Sequence, residues 1–188
     1  MQATMQIPRV HMAAIAEEQS SPLEETFHQH KDMVFRAAYR VTGDAGDAED
    51  VLQTVFLRLV RNPALPEIHN LPAYLHRSAV NASLDVLRRR RETQVLSLDE
   101  PGHAEAASVN SAQPSAEIRE WLRQALARLS PRWAEMFVLR FIEDYSNREI
   151  AEMMKTSAAV VAVVLHRTRA QLKKDFKAMT MPRGRRRR

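Results

Sequence analysis

The sequence predicts an all-α fold: two small helical domains joined by a flexible linker, the C-terminal domain carrying a helix-turn-helix. Three observations predict it. Apolar residues recur every three or four positions from Leu23 to Val86 and again from Ile118 to Leu172, the period that places them on one face of a helix. Between the two runs, from about Thr93 to Pro114, the period lapses in a stretch rich in Ser, Ala, Gln and acids that contains Pro101, Gly102 and Pro114, the composition of a tether. Only 4 glycines and 6% aromatic residues argue against an all-β fold, while Ala, Leu, Arg, Glu and Met are good helix formers.

Each element has its own signals. Phe27, Val34, Ala37, Ala38 and Val41 mark one face of a first helix beginning near Leu23, and Thr42-Gly43-Asp44 supplies the turn that stops it. A second helix is expected from Gly46 to Arg61, with Val51, Leu52, Val55, Phe56 and Leu59 on one stripe. Asp44, Asp47, Glu49 and Asp50 lie at its N-terminal end, where the helix dipole favours anions. Pro63 and Pro66 end it. Asn70 can cap a third helix whose inner face is Leu71, Leu75, Ala79, Ala82 and Val86, and whose C-terminal end carries Arg88 to Arg91, as the dipole prefers. After the linker, a helix from Ser115 to Leu129 (Ile118, Leu122, Ala125, Leu126) is followed by Ser130-Pro131, a cap residue before a first-turn proline. Ser146-Asn-Arg-Glu149 has capping-box spacing and opens a short helix with Ile150 and Met153 inward. Beyond Lys155-Thr156-Ser157 a longer helix runs to about Lys177, with Val161, Val164 or Leu165, Thr168 and Leu172 inward. The expected bounds are an N-terminal extension over 1–22, a first domain over 23–92, a linker over 93–114, a second domain over 115–177 and a basic tail over 178–188.

Composition narrows the chemistry. There is no cysteine, so disulfides, thiolate metal sites and thiol nucleophiles are excluded. No apolar run is long enough to span a bilayer, and the first residues lack the apolar core of a signal peptide, so a cytoplasmic protein is expected. His28 and His30 are two apart and point to different helix faces, so no metal is expected. No Ser/His/Asp or paired-carboxylate constellation is visible, so neither a catalytic site nor a cofactor is expected. The net charge of +5 is carried by the tail alone, since Arg183 and Arg185 to Arg188 account for all of it. Elsewhere cations cluster at Arg88 to Arg91 and from Arg167 to Lys177, a patchy distribution that suits phosphate contacts better than a uniform surface would.

Short helix, tight turn and longer helix form a helix-turn-helix. The second of these helices ends in His166, Arg167, Arg169, Lys173 and Lys174, a density of cations suited to a DNA backbone. In the third helix Arg77, Asn81, Asp85 and Arg88 are spaced by four, four and three, so they share one polar stripe.

Three stretches together carry a resemblance. AAYRVTGDAGDAEDVLQTVFLRL, LPAYLHRSAVNASLDVLRRRR, and LSPRWAEMFVLRFIEDYSNREIAEMM followed by LHRTRAQL resemble, in that order, the second conserved region, the promoter-melting helix and the fourth region of extracytoplasmic-function sigma factors of bacterial RNA polymerase. The likeness spans roughly Leu23 to Lys177. It implies that Asp47, Asp50, Gln53 and Phe56 contact the polymerase, that Tyr74, Arg77, Asn81, Asp85, Arg88 and Arg89 hold the non-template strand of the minus-ten element, and that Ser157, Ala159, Val160, Ala162, Val163, His166, Arg167 and Arg169 form the DNA-facing surface of the helix-turn-helix at the minus-thirty-five element. The implied partners are the polymerase core, through its largest-subunit clamp helices and second-largest-subunit flap, and promoter DNA, with an anti-sigma factor as a further candidate and no membrane. The implied mechanism is recruitment plus strand capture, without catalysis.

The chain departs from that family pattern in three places. Ala158 to Val164 is apolar throughout, where the family usually has polar or basic residues, so thymine methyl contacts and DNA shape are expected to carry specificity. Lys155 stands where the family often has Gly, and a left-handed cap there costs a non-glycine residue on the order of 1 kcal/mol. The loop Asn62 to Asn70 has no aromatic to build a base pocket. Two rival readings stay open at this level: a stand-alone helix-turn-helix regulator, and an adaptor that binds no DNA.

Overall fold

The computed structural model describes residues 22–61, Ile68, 70–99 and 114–180. The N-terminal extension, most of the loop from Asn62 to Asn70, the central part of the expected linker and the arginine tail lie outside the described residues. Seven helices follow one another in the described parts: α1 (Pro22–Thr42), α2 (Ala45–Val60), α3 (Leu71–Asp99), α4 (Pro114–Arg128), α5 (Pro131–Phe141), α6 (Asn147–Met153) and α7 (Ala158–Thr180).

The first three helices close on Val34, Ala37, Ala38, Val51, Val55, Leu59, Leu75, Ala79, Ala82 and Val86, with the Phe27 ring edge-on to Phe56 at 4.9 Å. These are the residues that helical spacing places inward. The α1–α2 corner forms as its turn chemistry dictates. Gly43 is left-handed (φ +72) and its N–H donates to the Tyr39 carbonyl at 2.8 Å, and Asp44 then caps α2 by accepting from the Asp47 N–H at 2.9 Å. The left-handed backbone is what favours glycine there; a Cβ would also meet the Arg123 guanidinium of α4 at 1.9 Å, but that is the movable end of a long side chain. Asn70 caps α3 by accepting from the Ala73 N–H at 3.1 Å.

The second unit packs Leu126, Ala134, Met136, Val138, Leu139, Ile150, Val161, Leu165 and Leu172. Ser130 precedes Pro131 as expected, yet its side chain makes no capping bond; the proline and the Ser130 carbonyl, which accepts from the Trp133 and Ala134 N–H groups, start the helix. The capping box of α6 is complete, with Ser146 and Glu149 bonded in both directions.

Two features differ from the expectation. The helix α3 continues from Thr93 to Asp99, where a linker was expected, because no Gly or Pro intervenes between Leu71-Pro72 and Pro101 and the added residues include good helix formers. The two units, moreover, are not merely tethered. Val80, Leu84 and Leu87 on the second face of α3, together with Val41, join the apolar cluster of the C-terminal helices. One face of α3 thus closes the first core while the opposite face closes onto α4, α5 and α6, and a helix apolar on two sides is a shared wall.

The α6–α7 turn keeps the shape that glycine would favour. Lys155 adopts φ +50, the Thr156 N–H reaches the Ala151 carbonyl at 2.9 Å and the Lys155 N–H reaches Glu152 at 3.3 Å, the paired bonds of a Schellman ending. The chain therefore carries left-handed strain here. Lys155→Gly is expected to raise unfolding stability by about 1 kcal/mol, somewhat less if glycine's greater freedom in the unfolded chain intervenes. Chemical denaturation with an unchanged m-value checks it; a variant less stable than wild type would show that the Lys155 side chain itself contributes.

Candidate nucleic-acid interface

The acidic start of α2 has two kinds of residue. Asp47 is committed: its carboxylate lies 2.7 Å from the Arg90 guanidinium of α3 with only 18% of the side chain exposed. Burial pushes its pKa up, Arg90 counters that, and the neighbouring Asp44 and Asp50 charges add to the rise. Asp50 and Gln53 are exposed and free to meet a partner. Phe56, by contrast, is 7% exposed and packs in the first core with its ring edge-on to Phe27.

The polar stripe of α3 lies on one face as its spacing requires, but two of its members are occupied. The Arg77 guanidinium donates to Glu135 of α5 at 2.5 Å and to the Met153 carbonyl of α6 at 2.8 Å, and the Asn81 amide donates to the same Glu135 oxygen at 2.9 Å. Farther along, Arg88 bonds Asp85 at 3.0 Å, Arg89 is exposed, and Tyr74 is half-buried against the first core. Arg89 is therefore open, Asp85 and Arg88 are half-buried and paired to each other, and Arg77 and Asn81 face the second unit.

A second polar cluster, absent from the sequence expectation, ties the units beside the first. Asp144 ends α5 in the left-handed region (φ +60), which an aspartate tolerates better than most residues, and the reversal turns Glu143 and Tyr145 toward α1 and α3. The Glu143 side chain is fully buried. It receives Arg40 Nε at 2.9 Å and His76 Nε2 at 2.5 Å, and Tyr145 Oη meets His76 Nδ1 at 2.8 Å. A tautomer with Nε2–H donating to the carboxylate leaves His76 Nδ1 to accept from the tyrosine hydroxyl. Burial pushes the Glu143 pKa up, but the hydrogen bonds from His76 and Arg40 outweigh it and hold the carboxyl below its ordinary value. Tyr145 is pushed up by burial and by the Glu143 charge. Glu135 had a sequence signal: it stands inside the apolar run WAEMFVL, and a buried acid needs a cationic partner. Glu143, just past a helix end, had none.

The helix-turn-helix surface is open. Ser157 caps α7 by accepting from the Val160 N–H at 3.2 Å, and Ala159, Ala162, His166 and Arg167 are exposed together with Val160 (44%) and Val163 (50%). Val161, Leu165, Thr168 and Leu172 fill the inward face. Arg169 sits at the flank with its guanidinium 5.6 Å from the centre of the Phe141 ring, a cation–π contact toward α5 rather than toward the exposed face. Among the described residues no group of His, Cys, Asp and Glu is placed to hold a metal ion, and no helix is long and apolar enough to cross a membrane.

A helical unit with an acidic helix start and a polar stripe along its third helix, followed by a helix-turn-helix unit with a cation-bearing second helix, is a layout suited to nucleic acid. Comparison with known proteins identifies the family. Residues 26–93 match the family model for Sigma-70 region 2 and residues 119–172 that for Sigma-70, region 4. The chain is 30% identical over 156 residues to the RNA polymerase sigma-E factor of Streptomyces avermitilis, covering 82% of this chain and 85% of that one. It is 32% identical over 153 residues to the ECF RNA polymerase sigma factor SigE of Mycolicibacterium smegmatis, covering 80% of this chain but only 60% of that longer relative. The solved structure of CnrH in complex with the cytosolic domain of CnrY has the same fold, with a TM-score of 0.53, 21% identity and coverage of 83% and 88% of the two chains. The chain belongs to the extracytoplasmic-function group of bacterial RNA polymerase sigma factors, subunits that direct the polymerase core to promoters.

Proposed function

We propose that this chain recruits RNA polymerase core through the exposed Asp50–Gln53 face of α2, anchors on duplex DNA upstream through α7, and captures the melted strand along α3, with no catalytic step of its own. The observation that carries the reading is the exposed outer face of α7, set on a capped helix-turn-helix and followed by Arg167, Lys173 and Lys174. Cations so placed neutralise phosphates, and release of counterions supplies affinity. A stand-alone regulator or a non-DNA adaptor would have no use for the region 2 unit that precedes it. An anti-sigma factor remains a further candidate partner through the family resemblance, and the site of action is the cytoplasm, where the polymerase works.

Strand capture by this α3 requires a change of state. Arg77 and Asn81 cannot bond bases while Glu135 and the Met153 carbonyl hold them, so α5 and α6 must move off α3 before the strand can enter. Core polymerase, by binding the two units apart, would select that open arrangement.

Run-off transcription with purified core polymerase tests the function: a promoter-specific transcript that depends on this chain is expected, and its absence on every genomic fragment tried would overturn the reading. The docking face is tested separately. Asp50→Arg with Gln53→Ala, both exposed and away from the core, is expected to lower core binding at least tenfold in a pull-down while circular dichroism stays unchanged; unchanged binding would remove α2 from the contact.

A further inference from the structure

The first two turns of α7 raise a chemical problem. From Ala158 to Val164 no side chain offers a donor or an acceptor, yet base pairs in the major groove are told apart largely by donor and acceptor patterns. Only two of the apolar side chains here serve the core, Val161 fully buried within it and Val164 packed against it. Val160 and Val163 stay exposed, three residues apart and therefore neighbours on the helix surface, with Ala159 beside them.

Resting on the function proposed above, we propose that Val160 and Val163 read thymine C5-methyl groups in the upstream promoter element, so that this sigma factor requires thymine at the positions they cover. Thymine alone among the bases presents an apolar group in the major groove. A valine methyl seated against it removes apolar surface from water on both sides, whereas cytosine at the same place offers no methyl and brings an N4 donor that valine leaves unpaired. Charge argues for DNA over protein as the occupant of this face. Within two turns of Val163 stand His166 and Arg167, with Lys173 and Lys174 following, and the one acid of α7 is Asp175 near its far end. Size argues the same way, for the face is made of Ala and Val, while protein interfaces draw their binding energy from aromatic and Arg anchors and have few energetically important valines. Phosphate contacts from the cations would set the register, and the valines would supply the choice.

The experiment uses the holoenzyme assembled from the full chain and core polymerase. Its preferred upstream element is first selected from randomised duplex DNA, and each thymine in it is then replaced by uracil, which differs only in lacking the methyl group. Wild type is expected to lose about fourfold in affinity at each of one or two positions, the effect of unburying one methyl group. The double variant Val160→Ala, Val163→Ala is expected to bind thymine and uracil DNA equally, at roughly the level of wild type on uracil DNA; alanine is the better helix former, so the fold is kept. Wild-type holoenzyme that selects a promoter yet ignores the uracil exchange overturns the proposal and leaves the sigma function standing. A double variant that keeps the full preference for thymine overturns it as well. Loss of core binding in the double variant would make the face a protein-docking surface, and failure to select any DNA would overturn the function and this proposal together.

Discussion

Glu143→Ala is expected to loosen the contact between the two helical units more than any other single change of a side chain at that contact. The carboxylate is fully buried and accepts from both Arg40 and His76, so its removal leaves a cation and an imidazole facing a void between α1, α3 and α5. Breaking a buried charged pair typically costs 3–5 kcal/mol, but the Arg40 side chain is 46% exposed and can turn to water, which reduces the effect to about 2 kcal/mol. That shifts the ratio of closed to open molecules by roughly thirtyfold. Fluorophores placed on α2 and α7 should report a longer separation in the variant, with helicity retained because each unit keeps its own core. An unchanged separation would mean that the apolar wall of Val80, Leu84 and Leu87 alone holds the units together. The same carboxyl sets an acid limit. Its pKa in the closed form lies below the ordinary value, so the stabilisation is present in full above the unperturbed range near 4.3 and is lost as pH falls through the lowered value. Closure is therefore expected to be insensitive to Glu143 titration from pH 5 to 8 and to weaken below about pH 4.

Most of this architecture was legible because its elements have local causes. Asp44, Asn70, Ser146 and the Gly43 turn sit where capping chemistry puts them, and the inward stripes follow from a period of 3.6 residues. The end of α3 was misplaced by composition: Gln94, Ser97 and Asp99 read as linker residues, yet with no breaker before Pro101 the helix had no reason to stop. What could not be read was the pairing of units. Val80, Leu84 and Leu87 form a second apolar stripe, and a stripe does not name its partner. Arg77 and Asn81 were visible as a polar face, but Glu135, which binds them, lies 54 residues beyond Asn81, and no local rule connects positions so far apart. Exposure along α7 was legible because it follows from the inward period of Val161, Leu165, Thr168 and Leu172, but the Arg169 contact with Phe141 of α5 was not.

Asn81→Ala is expected to cut promoter opening by the holoenzyme by roughly tenfold or more, the usual loss for one good polar contact to a base of about 1–3 kcal/mol. The closed structure complicates the interpretation, because Asn81 also donates to Glu135, and its loss would by itself favour the open arrangement. The two effects have opposite signs, and Glu135→Ala separates them. Without Glu135, Asn81 is released and Arg77 keeps only its bond to the Met153 carbonyl, so the chain alone should bind single-stranded minus-ten DNA more tightly, by roughly tenfold if the two hydrogen bonds to the carboxylate contribute about 1.5 kcal/mol between them. Adding Asn81→Ala to that background removes the reader without changing the latch, and binding should fall back. If polymerase holds the units apart in the holoenzyme, as proposed, Glu135→Ala should matter little there and Asn81→Ala should keep its full effect, while Ala162→Ser in the helix-turn-helix should leave melting nearly unchanged. Permanganate footprinting of each variant at matched core occupancy measures this. If Asn81→Ala holoenzyme opens the promoter as well as wild type, Asn81 serves only the contact with Glu135, and the captured strand must be held elsewhere, with the exposed Arg89 and the half-buried Asp85–Arg88 pair the next residues to test.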